Sequence, residues 1–259
     1  MLDWHDAIGA DAAAGVPPAA ATPRIRALHL ETAASLDAMH AFYHETLGLP
    51  VRRRDQRILT IDAGATRLTF ERGGDDGRPP FYHFAFNIPE NKIREARAWQ
   101  RERSSIFATP PHQQDPAYPA DVRHFAHWNA HAVFFADPAG NVVEYIARHD
   151  LTNAASGPFT TRDILYASEI AFVVDDVPAH AASLRAAFDL EQYRGASDAF
   201  SAVGDERGLL LVFRRGRNIG VGSGRPYAAD VFRTRVEINA DANAVLSTDA
   251  YPYRVATTA

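Results

Sequence analysis

One pattern, met three times along the chain, constrains the fold more than anything else in it. From Arg24 the order is strand, helix, strand, strand, strand. "RIRALHLET" alternates as a strand does, and "SLDAMHAFYHETLGL" sets Leu36, Met39, Phe42, Tyr43 and Leu47 at helical spacing before Gly48 ends the helix. "PVRRR", "RILTIDAG" and "TRLTFER" follow as short strands. The second unit runs from "FYHFAFNI" through the helix "ENKIREARAWQRER" and a long polar stretch, Ser104 to about Asn129, to "HAVFFADPAGNVVEYIAR". The third runs from "SEIAFVVDD" through "VPAHAASLRAAFDL" to "RGLLLVFRRG", and a Gly-rich loop leads to one more strand, "FRTRVEINA". Self-similarity at a long period predicts an α+β protein of tandem βαβββ modules. The expected division is a flexible tail over 1–23, a pair of modules over 24–150, a third module plus one strand over 160–240, and a flexible tail over 241–259.

Composition narrows the chemistry. The chain has no cysteine, which excludes disulfides, thiolate metal sites and cysteine nucleophiles. Its net charge of −5, with no long basic run, argues against a nucleic-acid binder held by phosphate contacts. No stretch approaches the ~18 apolar residues of a membrane span. The start has acidic residues where a signal peptide is basic, so the cytoplasm is the expected location. Any metal would have to be held by histidine and carboxylate, and eleven histidines leave that open.

Glu144 is the residue out of place. It sits in "NVVEYIA", where both alternating rows are largely apolar, so it is expected to be buried. A buried carboxylate costs several kcal/mol unless it is compensated, roughly as for any ion moved out of water. Two compensations are open: an arginine such as Arg67 or Arg26, or a metal ion shared with a histidine.

The stretches "FYHETLGL", "HFAFNI" and "DPAGNVVEY" resemble the vicinal oxygen chelate superfamily of glyoxalases, bleomycin and fosfomycin resistance proteins and extradiol dioxygenases. The resemblance covers roughly residues 24 to 215. It implies that modules pair into a half-open barrel around one divalent metal. It also implies that Glu144 and His83 are ligands. The third position, on the first strand of the first unit, counts to Ala27 or Leu28, and His29, on the face of Ala27, either serves as the third ligand from one step along or lines the cavity. Thr69 or Glu71 falls at the fourth position of the glyoxalase pattern, with Thr69 the preferred register, which leaves two histidines and a carboxylate. That set favours Fe(II), with Mn, Ni or Zn as alternatives. In the extradiol pattern His131 becomes the acid/base beside the metal. A four-residue hairpin loop, Asp137 to Gly140, would put Val133 opposite Glu144 and His131 on the face of Glu144.

The remaining candidates are weaker. His40 and His44 read as a solvated helix face. His112, His124 and His127 lie in the long loop, which suits either a lid over the cavity or a surface loop. In unit three, Glu169 takes the first-strand ligand position and Leu211 the closing one, so that unit is expected to be structural. Three functions follow, all with a small-molecule substrate and no nucleic-acid or membrane partner. The first is an extradiol-type dioxygenase acting on a small vicinal diol, in an aromatic pocket from Phe84, Phe86 and Phe135. The others are a glyoxalase-like isomerase or lyase, and a metal-free binding or resistance protein. Pairing of modules between chains would make a homodimer.

Overall fold

A computed structural model describes residues 24–74, 77–225 and 227–258. The expected N-terminal tail, 1–23, lies outside the described residues. The first module is β1 (Ile25–Thr32), α1 (Leu36–His40), β2 (Val51–Arg54), β3 (Ile58–Ala63) and β4 (Thr66–Arg72). Ser35 caps α1 by accepting the Ala38 N–H, and a wider helical stretch over Ala41–Thr46 carries Tyr43 into the core. Gly48, at φ +73°, turns the chain out of that helix, a conformation that glycine adopts without a Cβ penalty. The second module is β5 (His83–Ile88), α2 (Ile93–Arg101), β6 (Arg123–Phe125), β7 (Ala130–Ala136) and β8 (Val142–Arg148). The third is β9 (Tyr166–Val174), α3 (Val177–Phe188), β10 (Gln192–Ser197), β11 (Phe200–Asp205) and β12 (Gly208–Arg214). A reduced fourth follows: β13 (Thr234–Ile238), β14 (Val245–Thr248) and β15 (Tyr251–Thr257).

In every module the first and the closing strands lie side by side in parallel: β1 with β4, β5 with β8, β9 with β12, β13 with β15. Modules then join through antiparallel pairs of first strands. β5 pairs with β9, making an eight-stranded sheet of order β10-β11-β12-β9-β5-β8-β7-β6. β1 pairs with β13, making a seven-stranded sheet of order β14-β15-β13-β1-β4-β3-β2. The α+β architecture of paired βαβββ modules in half-open barrels is the one expected, and the pairing is within the chain. The partners differ from expectation: the second module pairs with the third, and the first with the fourth. The C-terminal segment is also corrected, since residues 245–257 form the β14–β15 hairpin.

A common apolar core joins the two sheets: Leu28, Leu30 and Phe70 from one, with Phe84, Phe86, Tyr145, Ile170 and Phe172 from the other. Polar links fix their relative placement. Thr66 Oγ1 donates to the Ile25 carbonyl and accepts the Ala167 N–H, and Tyr253 Oη donates to the Val173 carbonyl at 2.6 Å. Tyr43 Oη donates to Asp137 at 2.7 Å, so the "FY" of the first helix and the "DP" of the later hairpin meet in the core. A second apolar layer, including Trp128, Phe134, Ile146 and Phe213, lies on the other side of the eight-stranded sheet.

Candidate functional site

Strand alternation decides which side chains reach that second layer. On β5 the pairing sets Ala85 beside Glu144 of β8 on one flank and Glu169 of β9 on the other. His83 is two residues along and on the same face. His83, Glu144 and Glu169 are 6%, 2% and 2% exposed, and their ligand atoms lie within 4.8 Å of one another.

The hydrogen bonding of His83 fixes its proton. Nδ1 lies 3.0 Å from the Val142 carbonyl oxygen, which only accepts, so Nδ1 carries the hydrogen and donates. In the neutral ring Nε2 is then a lone pair. It faces Glu144 Oε2 at 3.5 Å and Glu169 Oε2 at 3.8 Å, both acceptors when ionised. The ring is flanked by Phe134 and Phe213, each with its centroid 6.0 Å away. Glu144 Oε1 is buried with no hydrogen-bond partner among the described residues. Burial pushes the Glu144 carboxyl well above the ordinary range, and Glu169 beside it adds to this, while Arg148 and Arg123 oppose it. Arg148, fully buried, ion-pairs Glu169. The arginines compensating this pair are therefore Arg148 and Arg123. Arg67, one of those expected, instead bonds Glu237 on the other sheet.

These groups floor a cavity of about 460 Å³. Its walls are aromatic: Phe125, Trp128, Phe134, Phe200 and Phe213. Two segments between strands complete it. The long polar stretch contributes His112, Gln113, Arg123 and His127, and the Gly-rich stretch contributes Arg217, Asn218, Ile219 and Val221. They meet at Gly222, where the Ala108 N–H donates to the Gly222 carbonyl at 2.9 Å. A Cβ at Gly222 would come 1.7 Å from the Ala108 carbonyl oxygen, so only glycine permits this approach. The lid reading of the long loop fits this placement.

Three expectations are corrected here. His29 is on the seven-stranded sheet, bonded to Glu71 at 2.9 Å, and is not brought to His83 and Glu144. Glu169 of the third module stands in the cluster instead. The fourth position, expected at Thr69 or Glu71, is also moved: those residues lie on β4 of the other sheet, and the closing strand of the paired module offers Leu211, which is apolar and lines the cavity.

His131 lies on the opposite face, because Phe134 and not Val133 is opposite Glu144. The reason is one residue in the turn. Asp137 accepts the backbone N–H groups of Ala139 and Asn141 and the Asn141 side-chain amide, while Asn141 Oδ1 accepts the Tyr82 N–H. Asn141 is thereby drawn into a five-residue loop, with Ala136 opposite Val142, and every side chain of β7 changes face. The expected acid/base role of His131 loses its geometry. Phe84, Phe86 and Phe135 likewise belong to the common core, not to the cavity.

Neither a protein-family model nor a curated protein sequence matches this chain. Its fold does match solved structures. A Bacillus subtilis subsp. subtilis str. 168 protein provisionally named a dioxygenase superposes with a TM-score of 0.57 at 15% identity, covering 91% of this chain and 85% of that one. Glyoxalase I from Zea mays superposes with a TM-score of 0.50 at 14% identity, covering 90% and 91%. Its V278E variant gives 0.51 at 13%, with the same coverage. The chain has the vicinal oxygen chelate fold. No helix among the described residues is long and apolar enough to cross a membrane.

Proposed function

We propose that the protein is a metal-dependent enzyme that takes a small aromatic molecule by two adjacent oxygens, with oxygen-dependent cleavage of a vicinal diol as the first chemistry to test. One observation carries this reading: His83 Nδ1 donates to the Val142 carbonyl, and this aims the other ring nitrogen, Nε2, at two buried carboxylates. A histidine that donates its other nitrogen to a backbone carbonyl is the usual arrangement of a metal ligand. The orphaned Glu144 Oε1 fits the same reading. His83, Glu144 and Glu169 would hold the ion. One imidazole and two carboxylates suit Fe(II) or Mn(II), with Ni and Zn as alternatives. When bound, such an ion supplies Lewis acidity and neighbouring open positions for vicinal oxygens.

The chain's own residues do the rest. Leu211 at the fourth position adds no donor, so three protein ligands leave room for a chelating substrate. Phe134, Phe213, Phe200 and Trp128 offer flat apolar surface and exclude water from the floor. Arg217 lies 5.3 Å over both the Phe200 and Phe213 rings and has no carboxylate partner among the described residues. It would receive an anionic substituent on the substrate ring.

A second reading, a metal-free binding protein, is favoured by the arginines. Arg148 ion-pairs Glu169, and Arg123 acts on Glu144, so two cations offset two carboxylates without a metal. The separating experiment is elemental analysis of protein purified without chelator or affinity metal, followed by oxygen uptake of Fe(II)-loaded protein with a panel of catechols. Stoichiometric metal and uptake support the enzyme. Metal-free protein that binds catechols without turnover supports the binding protein. Metal retention with no oxygen uptake points to the glyoxalase-like isomerase or lyase.

A further inference from the structure

Behind the cavity wall, on the opposite face of the same sheet, lies a second cluster that this function does not use. β6 pairs with β7 so that His124 is opposite His131, while Arg123 and Phe125 of β6 line the cavity. The His124 and His131 rings stack with centroids 4.6 Å apart, and Tyr118 covers His131 at 3.8 Å. Asp115 Oδ2 lies 3.2 Å from His131 Nε2. Ligand atoms of Asp115, His124 and His131 fall within 4.8 Å of one another.

A count of protons shows what this cluster lacks. His149 Nδ1 faces Glu90 Oε2 at 3.4 Å, and a carboxylate calls for a donor there. If neutral His149 donates there, its Nε2 accepts from His131 Nδ1, 2.8 Å away; in the opposite tautomer Nε2 donates to His131. Neutral His131 and His149 carry two protons for three contacts, so in either tautomer one carboxylate, Asp115 at 3.2 Å or Glu90 at 3.4 Å, faces a bare ring nitrogen. His124 brings a second ring nitrogen within 4.8 Å of these atoms and has no side-chain hydrogen bond among the described residues. A cation among the three resolves the conflict. The chain His131 to His149 to Glu90 then serves as the outer support that a ligating histidine normally has.

We propose that Asp115, His124 and His131 form a second divalent metal site, suited by two imidazoles and one carboxylate to Zn(II) or Co(II). It ties the segment bearing His112, Gln113, Arg123 and Phe125 to β7 from outside, and so holds one wall of the cavity in place. The alternative state is a doubly protonated His149, which would donate to both Glu90 and His131 and need no metal.

The test uses the full chain, stripped with chelator, and Zn(II) alone as the probe. Binding stoichiometry is measured for the wild type, His124→Ala, Asp115→Asn and Glu144→Gln. Hydrogen exchange over residues 112–125 is followed in the same samples. The proposal expects His124→Ala and Asp115→Asn each to bind one equivalent fewer than the wild type. It also expects Zn(II) to slow exchange over 112–125 in the wild type and in Glu144→Gln, but not in those two. Both altered residues are only part-buried, and unchanged metal-free circular dichroism and unfolding identify folded variants. Should His124→Ala misfold, Asp115→Asn decides alone. If only the His83 centre fails, the wild type binds one equivalent and His124→Ala none. Equal stoichiometry in the wild type, His124→Ala and Asp115→Asn overturns the second site, as does unchanged exchange.

Discussion

His29 and Glu71 on the seven-stranded sheet come from the first and closing strands of a module, as His83 and Glu144 do on the eight-stranded one. The residue types are the same, and the surroundings are opposite. His29 and Glu71 have side chains 31% and 21% exposed and bond each other at 2.9 Å, with Arg57 3.5 Å from the carboxylate. Each finds a partner and water finds the rest. His83 and Glu144 are closed in by the segments after β5 and β12, joined by Glu169 of the neighbouring module, and left with an unbonded carboxyl oxygen and a ring nitrogen facing two carboxyl groups. A pair that satisfies itself in water offers little to a ligand. A buried pair that cannot satisfy itself offers a site.

The largest effect expected from this contrast is on metal. Outer partners of ligands already cost about 10–100-fold in affinity when removed, so loss of a ligand should exceed roughly 100-fold. Glu144→Ala should lose its ion to a competing chelator, while His29→Ala should hold it as the wild type does. Full retention in Glu144→Ala would assign the His83 cluster to ion pairing with Arg148 and Arg123.

A second contrast, between part-exposed His29 and buried His131, is read by pH. Burial, the largest influence, pushes His131 down to about 4, although Asp115 pulls it up. An unfolded chain takes up that proton near ~6.5. The folded state is therefore disfavoured as the proton is offered: its stability is fully present above ~6.5 and declines as pH falls towards 4. The loss amounts to roughly 3 kcal/mol at most by linkage. Urea unfolding in chelator between pH 7 and 4 should show this slope in wild type and His29→Gln, and a flatter one in His131→Gln. An unchanged slope in His131→Gln would place the acid-sensitive group elsewhere.

Arg217 gives a smaller effect. A charge-assisted hydrogen bond contributes about 1.5–3 kcal/mol, which is on the order of 10–100-fold. At the rim, partly hydrated, the lower end applies. Arg217→Ala should weaken a catechol bearing a carboxylate about 10-fold by titration and leave unsubstituted catechol near its wild-type affinity. Equal weakening of both ligands would give Arg217 a packing role over Phe200 and Phe213.

Local pattern carried the modules, and long-range pairing did not follow from it. Alternation in "HFAFNI" and "VVEYIA" marked β5 and β8 and singled out Glu144 as buried, because burial on both faces is a property of a strand's own residues. Glu169 reads as structural in the sequence because the two ligand positions of its module are Glu169 and Leu211, neither of them a histidine. Its partner, His83, comes from the preceding module, and only the β5–β9 pairing reveals that. Residue counting between Ala136 and Val142 cannot tell a four-residue loop from a five-residue one. Asn141 decides it by bonding Asp137 and Tyr82, and with it the face of His131. A signal for the C-terminal hairpin was present in Tyr251, Tyr253 and Val255, which alternate along "YPYRV". Pro252 interrupts that pattern, since proline cannot donate to a ladder. In the fold it stands at the strand's start, before the β13 pairing begins at Tyr253.

The smallest effect is the sharpest check on the comparison. If exposure is what separates the two histidines, removing the His29 ring should cost little on any measure. A part-exposed ion pair contributes about 0–1 kcal/mol, and Arg57 remains beside Glu71 in its absence. His29→Ala should therefore unfold within about 1 kcal/mol of the wild type, with the same bound metal and the same turnover. Two results would break the comparison in different ways. Loss of metal would mean that His29 acts on the distant centre through the shared core. Loss of several kcal/mol with metal intact would mean that the seven-stranded sheet depends on the His29–Glu71 bond, and that water does not replace it there.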